Sequence, residues 1–230
     1  MTAPLVNIEA IESATELAVS AGLRVLQTHY FADDADAHVA RLLGWLNPSV
    51  GATVIDAGSG IGEVSRIMAD VRPDLGFLLI NLSDMQLGLG PQDDGERFHS
   101  LKADCHDLRG SVPDDFAQAI MYSSSLCQMD APVALAEAFR VLSDDGILLI
   151  NDLSTMSEAS PDLEADIGAR VIHLATLVNM IAEAGFMIDF VLKPAGSDAH
   201  FRGMLRQTGR EHLLDGIFPI VIRAIKRGKL

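Results

Sequence analysis

The chain has 230 residues, of which 49% are hydrophobic, and a formal net charge of −15. This length fits one elaborated domain, and apolar residues spread along the whole chain exclude a disordered protein. The acidic excess argues against a nucleic-acid partner, because binding a phosphate backbone requires clustered Lys and Arg. We therefore expect a small-molecule substrate.

The sequence contains no signal for a membrane or a metal. No apolar run reaches the roughly 20 residues that span a bilayer, and residues 1–11 lack the features of a secretory signal. The two cysteines, Cys105 and Cys127, have no partner at metal-ligand spacing. We expect a cytoplasmic protein with no membrane partner and no metal.

Two predicted helices precede the first strand. Apolar residues recur at helical spacing over residues 8–27 and again over 35–46, where Pro48 stops the second helix. We interpret residues 1–47 as a helical lid and residues 48–230 as the main domain.

The rest of the chain alternates between short apolar runs typical of buried strands and segments with helical periodicity. The predicted strands are 53–55, 76–80, 98–103, 116–122, 147–150, 186–192 and 217–225. The helices expected between them are 63–71, 83–89, 132–142, 162–184 and 200–207. This alternation predicts an α/β fold, a doubly wound, mostly parallel seven-stranded sheet of Rossmann-like type.

Polar residues follow most of the predicted strands. In such sheets a ligand lies beyond the carboxyl ends of the strands. We therefore expect the site among the residues that occupy these positions, which are Asp56, Asn81, Asp104, residues 123–125 and residues 151–152.

The first strand ends in a glycine-rich turn, residues 56–62, with Asp56 just before the first glycine. A dinucleotide site would bind pyrophosphate at the following helix N-terminus, where this carboxylate would repel it. An ammonium group suits the carboxylate better. S-adenosylmethionine carries an ammonium and a sulfonium group and no phosphate, so it is the predicted cofactor.

At these residues the sequence resembles the class I S-adenosylmethionine-dependent methyltransferases, over about residues 50–190. It is similar in particular to the branch with sterol, tocopherol and ubiquinone-pathway C-methyltransferases and cyclopropane synthases. The motifs that carry the resemblance are residues 56–62 after strand one, Asn81, Leu82, Ser83, Gln86 and Leu87 after strand two, residues 103–104 after strand three, and residues 138–146 before strand five.

The resemblance implies a set of cofactor-binding residues. Asp56 would help to position the methionine part, while Gly58 and Gly60 would pack under the cofactor. Most members carry an acidic residue after strand two that binds the ribose hydroxyls, and this chain has Asn81 there. The implied set is Asp56, Gly58, Ser59 and Gly60 at the turn, Asn81, Leu82, Ser83 and Gln86 in the ribose region, Asp104 and Cys105 at the adenine, and Ser123 after strand four.

The catalytic base of the sterol-like relatives is missing. The places of their Glu and His correspond to Ser124 and Gln128, and the amide of Gln128 cannot take a proton at neutral pH. Either another residue is the base or the acceptor needs little help. The catalytic candidates are Tyr30, Gln128, His173 and Asp152, with His29 as a further candidate.

The sequence predicts methyl transfer to a small, apolar molecule, with carbon slightly favoured over oxygen, nitrogen or sulfur as the acceptor atom. The apolar faces of residues 8–31 and 163–180 line the acceptor pocket or pack against the domain or a second subunit, which leaves a homodimer open. A catalytically silent cofactor-binding or scaffold protein and a nucleotide-dependent oxidoreductase are the alternatives.

Overall fold

Helices and strands alternate along the chain in the computed structural model, which describes residues 7–22, 31–32, 34–92, 95–159, 164, 169–194, 197–207, 209 and 216–228. Within these ranges the helices are α1 (Ile8–Ser20), α2 (Ala35–Leu46), α3 (Glu63–Val71), α4 (Asp84–Leu89), α5 (Ala131–Val141), α6 (Leu174–Glu183) and α7 (Ser197–Gln207). The strands there are β1 (Thr53–Ala57), β2 (Gly76–Asn81), β3 (Phe98–Lys102), β4 (Ala117–Ser123), β5 (Leu142–Thr155), β6 (Ile172–His173), β7 (Met187–Leu192) and β8 (Phe218–Ile225).

The strands form one sheet in the order β3-β2-β1-β4-β5-β8-β7. The first five strands of this order are parallel, whereas β8 runs antiparallel to both β5 and β7. The two-residue strand β6 pairs with the end of β5. The predicted mostly parallel sheet is therefore confirmed, and β6 is a strand that the sequence pattern did not indicate.

Helices cover both faces of the sheet. Buried side chains of α2, α3 and α7 pack in one hydrophobic core, and those of α5 and α6 pack in a second core on the opposite face. Successive residues of the central strands point alternately into these two cores, as expected for strands buried on both sides. This is the predicted doubly wound arrangement.

The chain leaves β1 toward β2 on one side, and β4 lies on the other side of β1. A sheet whose strand order reverses in this way opens a crevice at the carboxyl ends of the two central strands. The glycine-rich turn after β1 lies at this edge, beside the end of β4.

The helix predicted over residues 162–184 is not continuous: residue 164 is helical, and the helix α6 then runs from Leu174 to Glu183. Residues 169–173 are not helical, because Ile172 and His173 pair with β5. The hydrogen bonds of the sheet edge thus override the apolar periodicity in this segment. The first helix ends at Ser20, and Gly22 follows it with a positive φ of 74°. Residues 23–27 of that prediction lie outside the described residues.

The helix α2 belongs to one of the layers that cover the sheet. It begins after Asp34, whose carboxylate accepts a hydrogen bond from the Ala37 N–H at 2.7 Å, and its buried face includes Leu42 and Leu46. The domain boundary at residue 47 stays a prediction. No helix in the described part of the chain has the length and hydrophobicity needed to span a bilayer.

Candidate cofactor site

The glycine-rich turn holds three glycines at positive φ, with values of 73° at Gly58, 57° at Gly60 and 70° at Gly62. The N–H groups of Gly58 and Ser59 both donate to the Ile80 carbonyl, at 2.9 and 3.0 Å. The turn is therefore tied to the end of β2. Residues with a Cβ rarely adopt this conformation, which explains the glycines.

Two of these glycines have different surroundings. A Cβ at Gly58 would lie 2.7 Å from the Ser125 Cβ and 3.1 Å from the Met129 Cε, so this glycine is needed for packing against the segment after β4. A Cβ at Gly60 would meet no atom within 4 Å. The open space over Gly60 leaves the backbone of the turn accessible to a ligand.

Asp56 lies at the end of β1 and is only 2% exposed. Its Oδ2 atom accepts a hydrogen bond of 2.6 Å from the Ser65 hydroxyl of α3. Burial raises the pKa of Asp56 to about 6, and the Ser65 hydrogen bond lowers it in part. The carboxylate of Asp56, which is predicted to bind the cofactor, is thus held in place by α3. The sequence did not reveal this contact.

Three buried polar atoms at the carboxyl edge of the sheet have no hydrogen-bond partner. They are Ser59 Oγ in the turn, Ser124 Oγ after β4 and Asn151 Oδ1 in β5. A buried polar group without a partner costs about 1–3 kcal/mol, so such groups usually bind water or a ligand. Ser59 precedes Gly60 in the turn, and Ser125, which follows Ser124, contacts Gly58. Unpaired polar atoms at this edge fit a polar cofactor such as S-adenosylmethionine.

Asn81 and Gln86 hydrogen-bond mainly to the protein itself. The Asn81 Nδ2 donates to the Gly60 carbonyl at 3.1 Å and to Gln86 Oε1 at 2.8 Å. The Asn81 Oδ1 accepts from the Ser83 N–H at 3.3 Å. The predicted ribose residues Asn81, Ser83 and Gln86 therefore lie close together. The amides of Asn81 and Gln86, however, link the glycine-rich turn to α4.

The N-terminal helix α1 contacts the same residues. Thr15 Oγ1 accepts a hydrogen bond of 2.7 Å from Gln86 Nε2, and Glu12 Oε1 accepts one of 2.6 Å from the Ser83 hydroxyl. Sequence reasoning missed Glu12 and Thr15. A usable signal existed, because a carboxylate at position 12 falls on the inward stripe that also contains Ile11 and Thr15.

Asp104, which is predicted to bind the adenine, contacts the ring of His106. The Nδ1 atom of His106 lies 2.5 Å from Asp104 Oδ1, and its Nε2 accepts a hydrogen bond from the Asp130 N–H at 2.8 Å. Nε2 is thus the unprotonated nitrogen, and the Nδ1 proton points to the carboxylate. His106 links the loop after β3 to the start of α5.

Cys105 and Ser123 lie close to the turn and the end of β4. Burial raises the pKa of the Cys105 thiol to about 12, against a smaller opposing effect of the nearby Gly58 N–H. The Ser123 hydroxyl accepts a hydrogen bond of 3.2 Å from Asn151 Nδ2. Leu82 is half-buried between the ribose-region residues.

Asp152 is buried beneath the turn that follows β4. It is 3% exposed, and its carboxylate accepts hydrogen bonds from the Cys127 N–H at 3.0 Å and the Leu153 N–H at 2.8 Å. Burial raises its pKa to about 6, while these hydrogen bonds lower it in part. Its two backbone contacts favour a role in holding the 3₁₀ turn Leu126–Gln128.

His173 caps the start of α6. Its Nδ1 accepts a hydrogen bond from the Ala175 N–H at 3.2 Å, and its Nε2 lies 3.0 Å from the Met156 carbonyl. The ring proton is therefore on Nε2 and donates to that carbonyl. Of the other candidates, Gln128 is half-buried at the end of the 3₁₀ turn, whereas His29 and Tyr30 lie outside the described residues.

Residues 55–150 match the family described as a methyltransferase domain. No curated protein matches the sequence. Among solved structures, the [4+2]-cyclase SpnF is 17% identical with a TM-score of 0.81, over 98% of this chain and 97% of that one.

Two methyltransferase-fold enzymes illustrate the range of the likeness. The geranyl diphosphate C-methyltransferase from Streptomyces coelicolor A3(2), solved with Mg²⁺, geranyl diphosphate and S-adenosyl-L-homocysteine, is 15% identical with a TM-score of 0.72, over 83% of this chain and 78% of that one. The cyclopropane synthase MmaA2 from Mycobacterium tuberculosis is 16% identical with a TM-score of 0.67, over 88% and 90%. At these identities the likeness establishes the fold.

Proposed function

We propose that the chain is a class I, S-adenosylmethionine-dependent methyltransferase that methylates a small apolar acceptor, with carbon favoured as the acceptor atom. The match of residues 55–150 to a methyltransferase domain supports this proposal. S-adenosylmethionine supplies an electrophilic sulfonium methyl group. The protein binds the two reactants, aligns the nucleophile with the C–S bond and excludes water, which together account for several kcal/mol of barrier lowering.

This proposal rests on the open space over Gly60 at the edge where Ser59, Ser124 and Asn151 keep buried polar atoms without partners. A ligand with polar groups at one end and a flat ring at the other would satisfy these atoms. The proposed cofactor residues are the set expected from the sequence, namely Asp56, Gly58, Ser59, Gly60, Asn81, Leu82, Ser83, Gln86, Asp104, Cys105 and Ser123.

An apolar acceptor is supported by the residues beyond β5. Met156 directly follows this strand and is 68% exposed beside His173, which leaves an apolar side chain at the carboxyl edge of the sheet. The geranyl diphosphate enzyme offers a precedent for an apolar carbon skeleton. The net charge of −15 disfavours a highly charged anion such as a diphosphate. The cytoplasmic location and a homodimer are further proposals.

We propose that alignment, rather than a strong base, provides most of the rate. The carboxylate of Asp152 accepts two backbone N–H groups and both ring nitrogens of His173 contact backbone atoms, so the basic atoms of these two candidates are already engaged. An enol- or phenol-type carbon acceptor fits this arrangement. The new C–C bond forms as the C–S bond breaks, and a proton then leaves to water. An enol acceptor loses its O–H proton, whereas a phenol acceptor loses the proton of the methylated carbon.

Methyl-labelled S-adenosylmethionine with terpenoid, quinone, phenol, amine and thiol acceptors tests the function. We expect label in an acceptor together with an equal amount of S-adenosylhomocysteine, and the Gly60→Val variant is the control that should lose both. An acceptor that is consumed without incorporating label would contradict methyl transfer and favour another reaction on this fold.

The base is tested with Tyr30→Phe, His173→Ala and Asp152→Asn, each checked for unchanged S-adenosylhomocysteine binding. If alignment dominates, each variant keeps turnover within about tenfold, whereas loss of a true general base costs about a hundredfold or more. A hundredfold loss at one position would identify the base and overturn the alignment mechanism.

A further inference from the structure

Glu12 occupies an unusual place for a carboxylate. It lies half-buried on the inward stripe of α1, between Ile11 and the buried Thr15, while Glu16 on the same helix is exposed. Charged residues are rarely buried unless they are paired. Within the described residues Glu12 makes one hydrogen bond, from the Ser83 hydroxyl, and has no ion-pair partner. One neutral hydroxyl leaves most of its acceptor capacity unused.

The residues at the end of β2 cannot supply a free carboxylate. Asn81 takes the place where an acidic residue was expected, and its Oδ1 accepts from the Ser83 N–H. Both of its Nδ2 hydrogen bonds go to the protein, to Gly60 and Gln86, and Gln86 Nε2 in turn donates to Thr15. These amides hold the turn and α1 in position. Each amide oxygen of Asn81 and Gln86 already accepts one hydrogen bond, so a nearby carboxylate is the stronger acceptor for a ligand hydroxyl.

The chain of hydrogen bonds from Glu12 leads directly to the open turn. Ser83 donates its hydroxyl to Glu12 and its N–H to Asn81, and Asn81 donates to the Gly60 carbonyl. Ser83 also caps α4 by accepting from the Gln86 N–H at 3.1 Å, which fixes the direction of its hydroxyl. The Glu12 carboxylate is therefore oriented by the 4% exposed side chain of Ser83, which is linked through Asn81 to the Gly60 carbonyl.

We propose that Glu12 replaces the missing acidic residue after β2, and that its carboxylate accepts the hydrogen bonds of the cofactor's ribose hydroxyls. The inference rests on the proposed use of S-adenosylmethionine. A carboxylate has about four lone-pair sites, of which the Ser83 hydroxyl uses one, so two ribose hydroxyls can be accommodated. The acceptor thus comes from the N-terminal helix rather than from the sheet.

Calorimetric titration with S-adenosylhomocysteine and with its 2′-deoxy and 3′-deoxy analogues tests the proposal without catalysis. Glu12→Gln keeps an oxygen for the Ser83 hydroxyl, and Glu16→Gln on the exposed side of α1 is the matched control. Hydrogen bonds to a charged group correspond to about 10- to 100-fold in affinity. We expect Glu12→Gln to bind S-adenosylhomocysteine about 10- to 100-fold more weakly, and Glu16→Gln to bind it normally.

The deoxy analogues separate direct contact from a structural effect. Removal of a ribose hydroxyl should weaken binding to the wild-type protein at least about tenfold and should have little further effect on Glu12→Gln. If that variant weakens all three ligands by the same factor, Glu12 only holds α1 and the proposal is wrong. Unchanged binding by Glu12→Gln also overturns it and leaves the proposed function intact. Failure of the wild-type protein to bind S-adenosylhomocysteine would instead refute the function.

Discussion

An alanine substitution at Gly58 should mainly lower stability, whereas one at Gly60 should mainly weaken cofactor binding. Both place a Cβ at positive φ, which costs about 1–2 kcal/mol. At Gly58 the new Cβ also overlaps Ser125 at 2.7 Å, and overpacking of this kind adds about 1–3 kcal/mol. At Gly60 the Cβ enters open space. With about 2–4 °C per kcal/mol for a chain of this size, Gly60→Ala should lower Tm by about 2–8 °C and Gly58→Ala by clearly more.

Thermal denaturation with and without S-adenosylhomocysteine measures both effects. At a ligand concentration of about 100 Kd the folded state gains about 2.7 kcal/mol, which is a rise of about 5–11 °C for the wild-type protein. We expect Gly60→Ala to lose most of this rise, because its methyl group occupies the space over the turn. A Gly60→Ala protein that is stable and shows the full rise would refute the placement of the cofactor, and NAD should produce no rise in any variant.

Two further predictions concern the ionisation of Asp56 and the helix cap formed by His173. Burial raises the pKa of Asp56 to about 6 in the folded protein from an ordinary value of 3.8, so ionisation destabilises the fold by about 3 kcal/mol. This cost is absent below about pH 4 and complete above about pH 7. Urea unfolding of Asp56→Asn should therefore show a gain over wild type that grows between pH 5 and 7.5, and a constant difference would contradict the pKa. His173→Ala should lose a helix cap of about 1 kcal/mol while His173→Asn keeps it, measured as Tm; equal Tm values for the two variants would show that the cap contributes nothing.

The parts of the fold that depend on local patterns were predictable. Uninterrupted apolar runs such as residues 76–80 indicated strands buried on both faces, and the glycine spacing of residues 56–62 indicated the turn, because positive φ is restricted to residues without a Cβ. The match of residues 55–150 to a methyltransferase domain agrees with the family expected from these motifs, and S-adenosylmethionine stays the proposed cofactor. The prediction of one continuous helix over residues 162–184 was wrong, since the pairing of Ile172 and His173 with β5 comes from a contact that periodicity does not encode.

The contacts of the site were decided by the tertiary structure. The sequence by itself determined which polar residues reach the carboxyl edge of the sheet, because alternation of strands and helices places the ends of the parallel strands on one side. It could not determine that Asn81 and Gln86 turn their amides to the protein, that Ser65 holds Asp56, or that Glu12 arrives from 71 positions earlier to meet Ser83. The side chains of these pairs come from different elements, and only the packing of α1, α3 and α4 on the sheet brings their atoms within hydrogen-bond distance.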